Sequence, residues 1–172
     1  MRDRLTVGHG PLEAGIGVRI PVPQPKNMKT LLFPAVRGFI LHKGKVLIIR
    51  ESTNYKSPNQ GKYDTPGGKI KPDETFAQAL RREVKEEVGL SIRLGRAFGI
   101  SEWFPVIGGI KYHIVGTFIE CFTDSTNVKL SKDHDDYKWI VPDDYKKYNI
   151  IETNLSGFKD YLNSKKSSRD SK

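Results

Sequence analysis

Three carboxylates stand where a single ion would bridge them. In "RREVKEEVGL", residues 81–90, Glu83, Glu86 and Glu87 occupy i, i+3 and i+4, so on a helix they share one face. Like charges at that spacing weaken a helix by roughly 0.2–0.5 kcal/mol per pair, and near a helix C-terminus the macrodipole adds to the penalty. A positive partner cancels both. Oxygen donors converging from one face suit a hard divalent cation, Mg²⁺ or its common substitute Mn²⁺. Such an ion, held with open coordination positions, bridges phosphate oxygens, lowers the pKa of a bound water and offsets charge in a transition state. The nearby "PGGK", residues 66–69, lets backbone approach that face closely, because glycine lacks a Cβ. The competing reading is a solvated face on which Arg81, Arg82 and Lys85 balance Glu86 and Glu87.

The helix that presents these residues is well marked. Thr75 is a good N-cap, Gln78 three residues on completes a capping box, and Gly89 stands where a C-terminal left-handed glycine belongs. Ala77, Leu80, Val84 and Val88 form its expected apolar stripe. Upstream, "FPAVRGFIL" and "KVLIIR" are β-rich runs joined through "HKGK", a hairpin with Gly44 in the turn. The polar "ESTNYKSPNQGKY" and the Gly/Pro-rich "DTPGGKIKPDE" read as loops. Downstream, "SIRLG", "AFGISEWF", "IKYHIVGTFIECF" and "YKWIV" read as strands, and "TNLSGFKDYL" as a closing helix. Strands, one central helix, more strands and a last helix predict an α/β domain with a mixed sheet.

At 172 residues, with 37% hydrophobic and 28% charged residues, the chain suits one globular domain with tails. No apolar run approaches the roughly 18 residues of a membrane span. The single cysteine, Cys121, rules out an internal disulfide and fits a reducing cytoplasm; its plain role is a small buried hydrophobe. A net charge of +9 raises the question of nucleic acid. Residues 1–27 carry four bases and two acids, and residues 164–172 carry four bases and one acid, so the two ends hold more than half of the excess. That locates it away from any one folded face, where it steers anionic ligands generally. The expected organisation is a flexible leader over 1–27, a domain over 28–163 and a basic, disordered tail over 164–172. Monomer and homodimer both stay open.

From Gly68 the residues are Gly68, five more, Glu74, seven more, then Arg82, Glu83, Val84, any residue, Glu86, Glu87, any residue, Gly89 and Leu90. This resembles the Nudix box, with every specified position filled, and the looser likeness extends over about residues 31–162. The resemblance implies an α/β/α sandwich with a central mixed β-sheet, and hydrolysis of a nucleoside diphosphate linked to some other group. It further implies that the Gly67 carbonyl joins Glu83, Glu86 and Glu87 as a Mg²⁺ ligand, with Gly68 in the substrate-binding loop. Arg82 would orient the carboxylates, and Glu74 would support them from behind.

The box is silent on the substrate. Arg50, closing "VLIIR", is a candidate phosphate contact. In "DDYKW", Asp135 and Asp136 precede Trp139 by four and three residues, which resembles the purine-reading segment of some 8-oxo-dGTP hydrolases. Two acids would accept from exocyclic N–H groups while the indole stacks on the ring; a polar turn before a core tryptophan is the plain alternative. Asp133 and Asp136 are also candidates for an extra metal ligand or a base. Pro105 follows the box by fifteen residues, a spacing similar to that in ADP-ribose pyrophosphatases. The expectation is a Mg²⁺-dependent pyrophosphohydrolase of (d)NTPs or oxidised purine nucleotides, yielding a nucleoside monophosphate and pyrophosphate. An ADP-ribose or dinucleotide pyrophosphatase, an RNA-end or cap hydrolase and a catalytically silent ligand sensor stand behind it.

Overall fold

A computed structural model describes residues 29–54 and 57–170. Its elements run β1 (Thr30–His42), β2 (Lys45–Glu51), β3 (Tyr63–Asp64), β4 (Gly67–Lys69), α1 (Phe76–Val88), β5 (Arg93–Trp103), β6 (Val106–Ile107), β7 (Ile110–Phe122), β8 (His134–Ile140), a 3₁₀ turn (Pro142–Lys147) and α2 (Glu152–Asp170). The leader expected over residues 1–27 lies outside the described residues. None of the described helices is long and apolar enough to cross a membrane.

The sheet is mixed because one pairing is parallel. β1 runs beside β7 from Thr30↔Lys111 to Leu41↔Phe122, while the other named pairings are antiparallel. The expected hairpin turn is present: Lys43 and Gly44 have φ of 46° and 78°, the paired positive values of a type I′ turn. β1 and β2 then part company, pairing only at Leu41↔Val46 and His42↔Lys45. Beyond that point β2 carries β3, with β8 paired to it from Val46 to Glu51, whereas β1 takes β4 through Ala35↔Lys69, Val36↔Gly68 and Arg37↔Gly67. β3 and β4 fall in segments that read as loops. Two or three residues hold no period, and it is their pairing partners that make them strands.

Both faces of the sheet are covered, which is why "VLII" of β2 is apolar without alternation. Val36, Ile40, Leu47 and Ile49 pack against Leu80, Val84 and Val88 of α1. Phe39, Val46, Ile48 and Tyr63 pack against Phe158 and Tyr161 of α2. The result is the expected α/β/α sandwich.

Two expectations need correcting. The fully buried alanine of α1 is Ala79, and Ala77 is only half-buried. At about 100° per residue, Glu83 and Glu87 fall between Ala79 and Leu80 on the wheel, so the buried arc is turned toward the acids. The carboxyl-terminal boundary also moves. α2 continues to Asp170, and Lys165, which lies beyond the expected end at 163, reaches the buried Glu120 on β7 at 3.0 Å. Arg96 approaches the same carboxylate at 3.5 Å.

A chain ending at residue 163 therefore leaves a buried carboxylate with one distant partner. Relative to the full chain it should lose on the order of 1–3 kcal/mol in urea unfolding. Introducing Glu120→Gln into both chains should shrink that difference to a few tenths. An undiminished difference would show that the lost residues stabilise through something other than Glu120.

Candidate active site

The site lies where β1 and β2 separate and α1 crosses the gap. α1 starts at the capping box, with Thr75 Oγ1 accepting from Gln78 N–H at 3.2 Å and Gln78 Oε1 accepting from Thr75 N–H at 2.9 Å. It ends at Gly89, whose φ of 71° is left-handed. Its final carbonyls are taken by the segment leading into β8: Lys129 N–H donates to Val88 O and Ser131 N–H to Glu87 O, both at 2.9 Å. The acidic face is thus fixed at each end.

Arg82 organises that face. Its guanidinium donates to Glu74 at 2.6 and 2.9 Å, to Glu83 at 2.7 Å, to Glu86 at 3.2 Å and to the Lys69 carbonyl at 3.2 Å. Glu74 also accepts from Lys71 N–H at 3.0 Å. The Arg82 hydrogen bonds hold the Glu74 carboxyl down at about 2, and the same contacts push the guanidinium pKa up. Gly68 makes room for Glu83, since a Cβ there would lie 2.6 Å from the Glu83 carboxyl carbon. Gly67 is more constrained still. Its φ is 148°, and an added Cβ would meet the Val36 carbonyl at 2.1 Å.

Glu87 differs from its neighbours. It takes no bond from Arg82 and instead accepts from Gly67 N–H at 2.9 Å. Burial lifts its carboxyl to about 8, with Asp64 and Glu83 adding to the rise, while the Gly67 bond and Arg37 act against it. Glu86, by contrast, is more than half exposed. The buried Glu87 carboxyl, the Glu83 carboxylate paired with Arg82 and the backbone carbonyl of Gly67 form an all-oxygen donor set. That chemistry fits a hard divalent ion. The side chains are not gathered into a closed cluster: among the described residues no three His, Cys, Asp or Glu side chains are grouped closely enough to hold an ion. Arg82 holds Glu83 and Glu86, and Arg37 donates to the Gly67 carbonyl at 3.1 Å.

Two adjoining cavities meet at Arg37 and Asp64, and Glu87 lines one of them. One, of about 370 Å³, has an acidic wall of Glu51, Asp64, Glu87 and Asp133, with His134 beside them. Burial keeps the His134 imidazole below its ordinary pKa, against the pull of Asp64, Asp133 and Glu51. The other, of about 470 Å³, is lined by Lys62, Lys69, Trp103, Pro105 and Tyr112. Arg37, Asn59, Asp64 and Ile151 belong to both. Asp64 is set by Arg37 at 3.0 Å, by Thr65 N–H at 2.6 Å and by the Asn154 amide of α2.

The residues expected to read a base are not assembled there. Arg50 is committed to Asp135 at 2.7 Å, and Asp135 also accepts from Thr53 N–H and its hydroxyl. Asp136 accepts from the Tyr63 hydroxyl and pairs with Lys138 at 3.2 Å. Trp139 packs into the core on the α1 side, its ring 5.9 Å from His42. Of that segment, Asp133 does reach the acidic cavity. Adjacent strand residues face opposite ways, so neighbouring acids do not converge on one ligand edge. Arg37, Asp64 and Trp103 escaped notice in the sequence. The available signal for Arg37 was a lone charge inside the apolar run "PAVRGFIL".

Comparison with known proteins gives the same frame. The model of the NUDIX domain matches residues 31–159. The chain is 33% identical over 96 residues to the NAD-capped RNA hydrolase NudC of Haemophilus influenzae, covering 55% of this chain and 34% of that protein. It thus spans about a third of that relative's length. It is 32% identical over 119 residues to the 8-oxo-dGTP diphosphatase of Buchnera aphidicola subsp. Schizaphis graminum, covering 69% of this chain and 85% of the other. The crystal structure of a MutT protein from Methanosarcina mazei Go1 superimposes with a TM-score of 0.69 at 26% identity, over 81% of this chain and 99% of that one. With the box complete and the sandwich in place, the chain belongs to the NUDIX family.

Proposed function

We propose that the protein is a Mg²⁺-dependent pyrophosphohydrolase of nucleoside triphosphates, releasing a nucleoside monophosphate and pyrophosphate. The observation that carries this reading is the junction at Arg37, where an acidic cavity meets one edged by Lys62 and Lys69 and floored by aromatic rings. A polyphosphate carrying a base has that same polarity along its length. The 8-oxo-dGTP diphosphatase relative supports a triphosphate, including one with an oxidised purine.

When bound, the ion would be held by Glu83, Glu86, Glu87 and the Gly67 carbonyl, and would supply Lewis-acid activation of a phosphoryl oxygen and of water. The chain's own residues do the rest. Arg82 keeps Glu83 and Glu86 from springing apart, and Gly67 N–H aims Glu87. Lys62 and Lys69 place positive charge along the second cavity, and Arg37 places it where that cavity meets the acidic one. A second reading, a dinucleotide of the ADP-ribose kind, rests on Pro105 lining the second cavity. A panel of (d)NTPs, 8-oxo-dGTP, ADP-ribose and capped RNA with Mg²⁺, with products resolved by chromatography, decides between them. No nucleoside monophosphate from any of these would overturn the reading.

Glu86→Gln and Glu87→Gln preserve size and helix propensity while removing one ionisable carboxyl from the face. Without metal each should be at least as stable as the parent. With Mg²⁺ each should lose most of the turnover and most of the thermal upshift that the ion gives the parent, the loss falling on kcat. Parental kcat at saturating Mg²⁺ would remove that residue from the ligand set.

Glu87 also sets a pH dependence. Its folded pKa is raised, so its contribution to stability is complete below about 4.5 and is lost as pH rises through about 8. In EDTA the parent should lose on the order of a few kcal/mol across that window relative to Glu87→Gln, and Mg²⁺ should reverse the trend. Superimposable pH–stability curves for parent and variant in EDTA would mean that Glu87 is solvated.

A further inference from the structure

Base recognition is left without residues once Asp135, Asp136 and Trp139 are placed elsewhere, and the 470 Å³ cavity offers a different set. Trp103, at the end of β5, is half-buried and its six-membered ring packs at Gly116 of β7, where an added Cβ would come within 2.8 Å of the indole. The sequence has thus cleared a bed for this ring. The Arg37 guanidinium stands 5.7 Å from the indole centroid. It is fixed by Asp64 at 3.0 Å and the Gly67 carbonyl at 3.1 Å, and its buried Nε has no partner among the described residues. Across the cavity, Lys69 Nζ is held 4.4 Å above Phe33 and 5.1 Å above Tyr112.

A cavity lined by aromatic rings and lysines that opens at Arg37 onto the acidic cavity matches a planar heterocycle joined to phosphates. The exposed face of an indole ring gains most from stacking another ring, and stacking is insensitive to which base is offered. We propose that Trp103 is the stacking platform for the nucleobase of the substrate, with Arg37 as the positioning residue between base and phosphates. This rests on the nucleotide reading above and adds to it where the base lies and that stacking carries its recognition.

The chain has two tryptophans, Trp103 and Trp139, so emission can be assigned. In the full chain carrying Trp139→Phe, GMP should quench the remaining emission saturably, and ribose 5-phosphate, which lacks a base, should not. Trp103→Leu should weaken GMP binding on the order of tenfold or more and raise KM for GTP similarly, with the loss falling on KM rather than kcat. Trp103→Phe keeps a stacking ring and should recover most of the affinity, which a merely structural role for the indole would not predict. Equal quenching by GMP and ribose 5-phosphate, or parental GMP affinity in Trp103→Leu, would overturn the proposal. Saturable quenching by GMP without hydrolysis of any nucleotide would keep the base site and sink the hydrolase reading. Hydrolysis with an unchanged KM in Trp103→Leu would do the reverse.

Discussion

The rest of the site depends on one guanidinium among carboxylates. Three glutamates on one helical face, close to the negative end of the dipole, would spread or unwind if left alone. Arg82 prevents this by bonding Glu74, Glu83 and Glu86 together and tying them to the Lys69 carbonyl. Its planar fork allows several carboxylates to be served at once, which an ammonium group cannot match. The cost of assembling an anionic face is therefore met within the protein.

Glu87 is excluded from that arrangement, and its exclusion gives the face its asymmetry. Arg82 neutralises the exposed side, while Glu87 sits on the buried side with a backbone N–H as its direct partner. Desolvation is the dominant influence on it. The position follows from the parting of β1 and β2. Had the hairpin stayed paired beyond Leu41 and Val46, no gap would exist for β4 to line or for Glu87 to enter. Glycine at 67 and 68 is what lets the strand edge and the helix meet, since a Cβ at either position would collide with Val36 or Glu83.

Arg37 links the two halves of the cleft. It pairs in register with Gly67 across β1 and β4, so the same contact that seats the loop places a positive charge between the acidic and aromatic cavities. Asp64, on the two-residue β3, holds it there and is itself anchored to α2 through Asn154. The helix on the opposite face of the sheet thereby helps to shape the site, and its first residue, Glu152, lines the second cavity.

What the sequence determined by itself is local. The capping box, the αL glycine at 89, the type I′ turn at Lys43 and Gly44, and the shared face of Glu83, Glu86 and Glu87 all depend on spacings of four residues or fewer. Neighbours along the chain settle such features before any long-range contact forms, and the filled box carried the family with them. The tertiary structure decided what depends on distant partners. It chose which glutamate would be buried, turned "GGK" into a strand against β1, and carried α2 past residue 163 to reach Glu120. It also dispersed "DDYKW": Asp135 went to Arg50, Asp136 to Tyr63 and Trp139 into the core. Sequence proximity placed those residues together, but a strand sends alternate side chains to opposite faces, and only the neighbouring strands determine what each one meets.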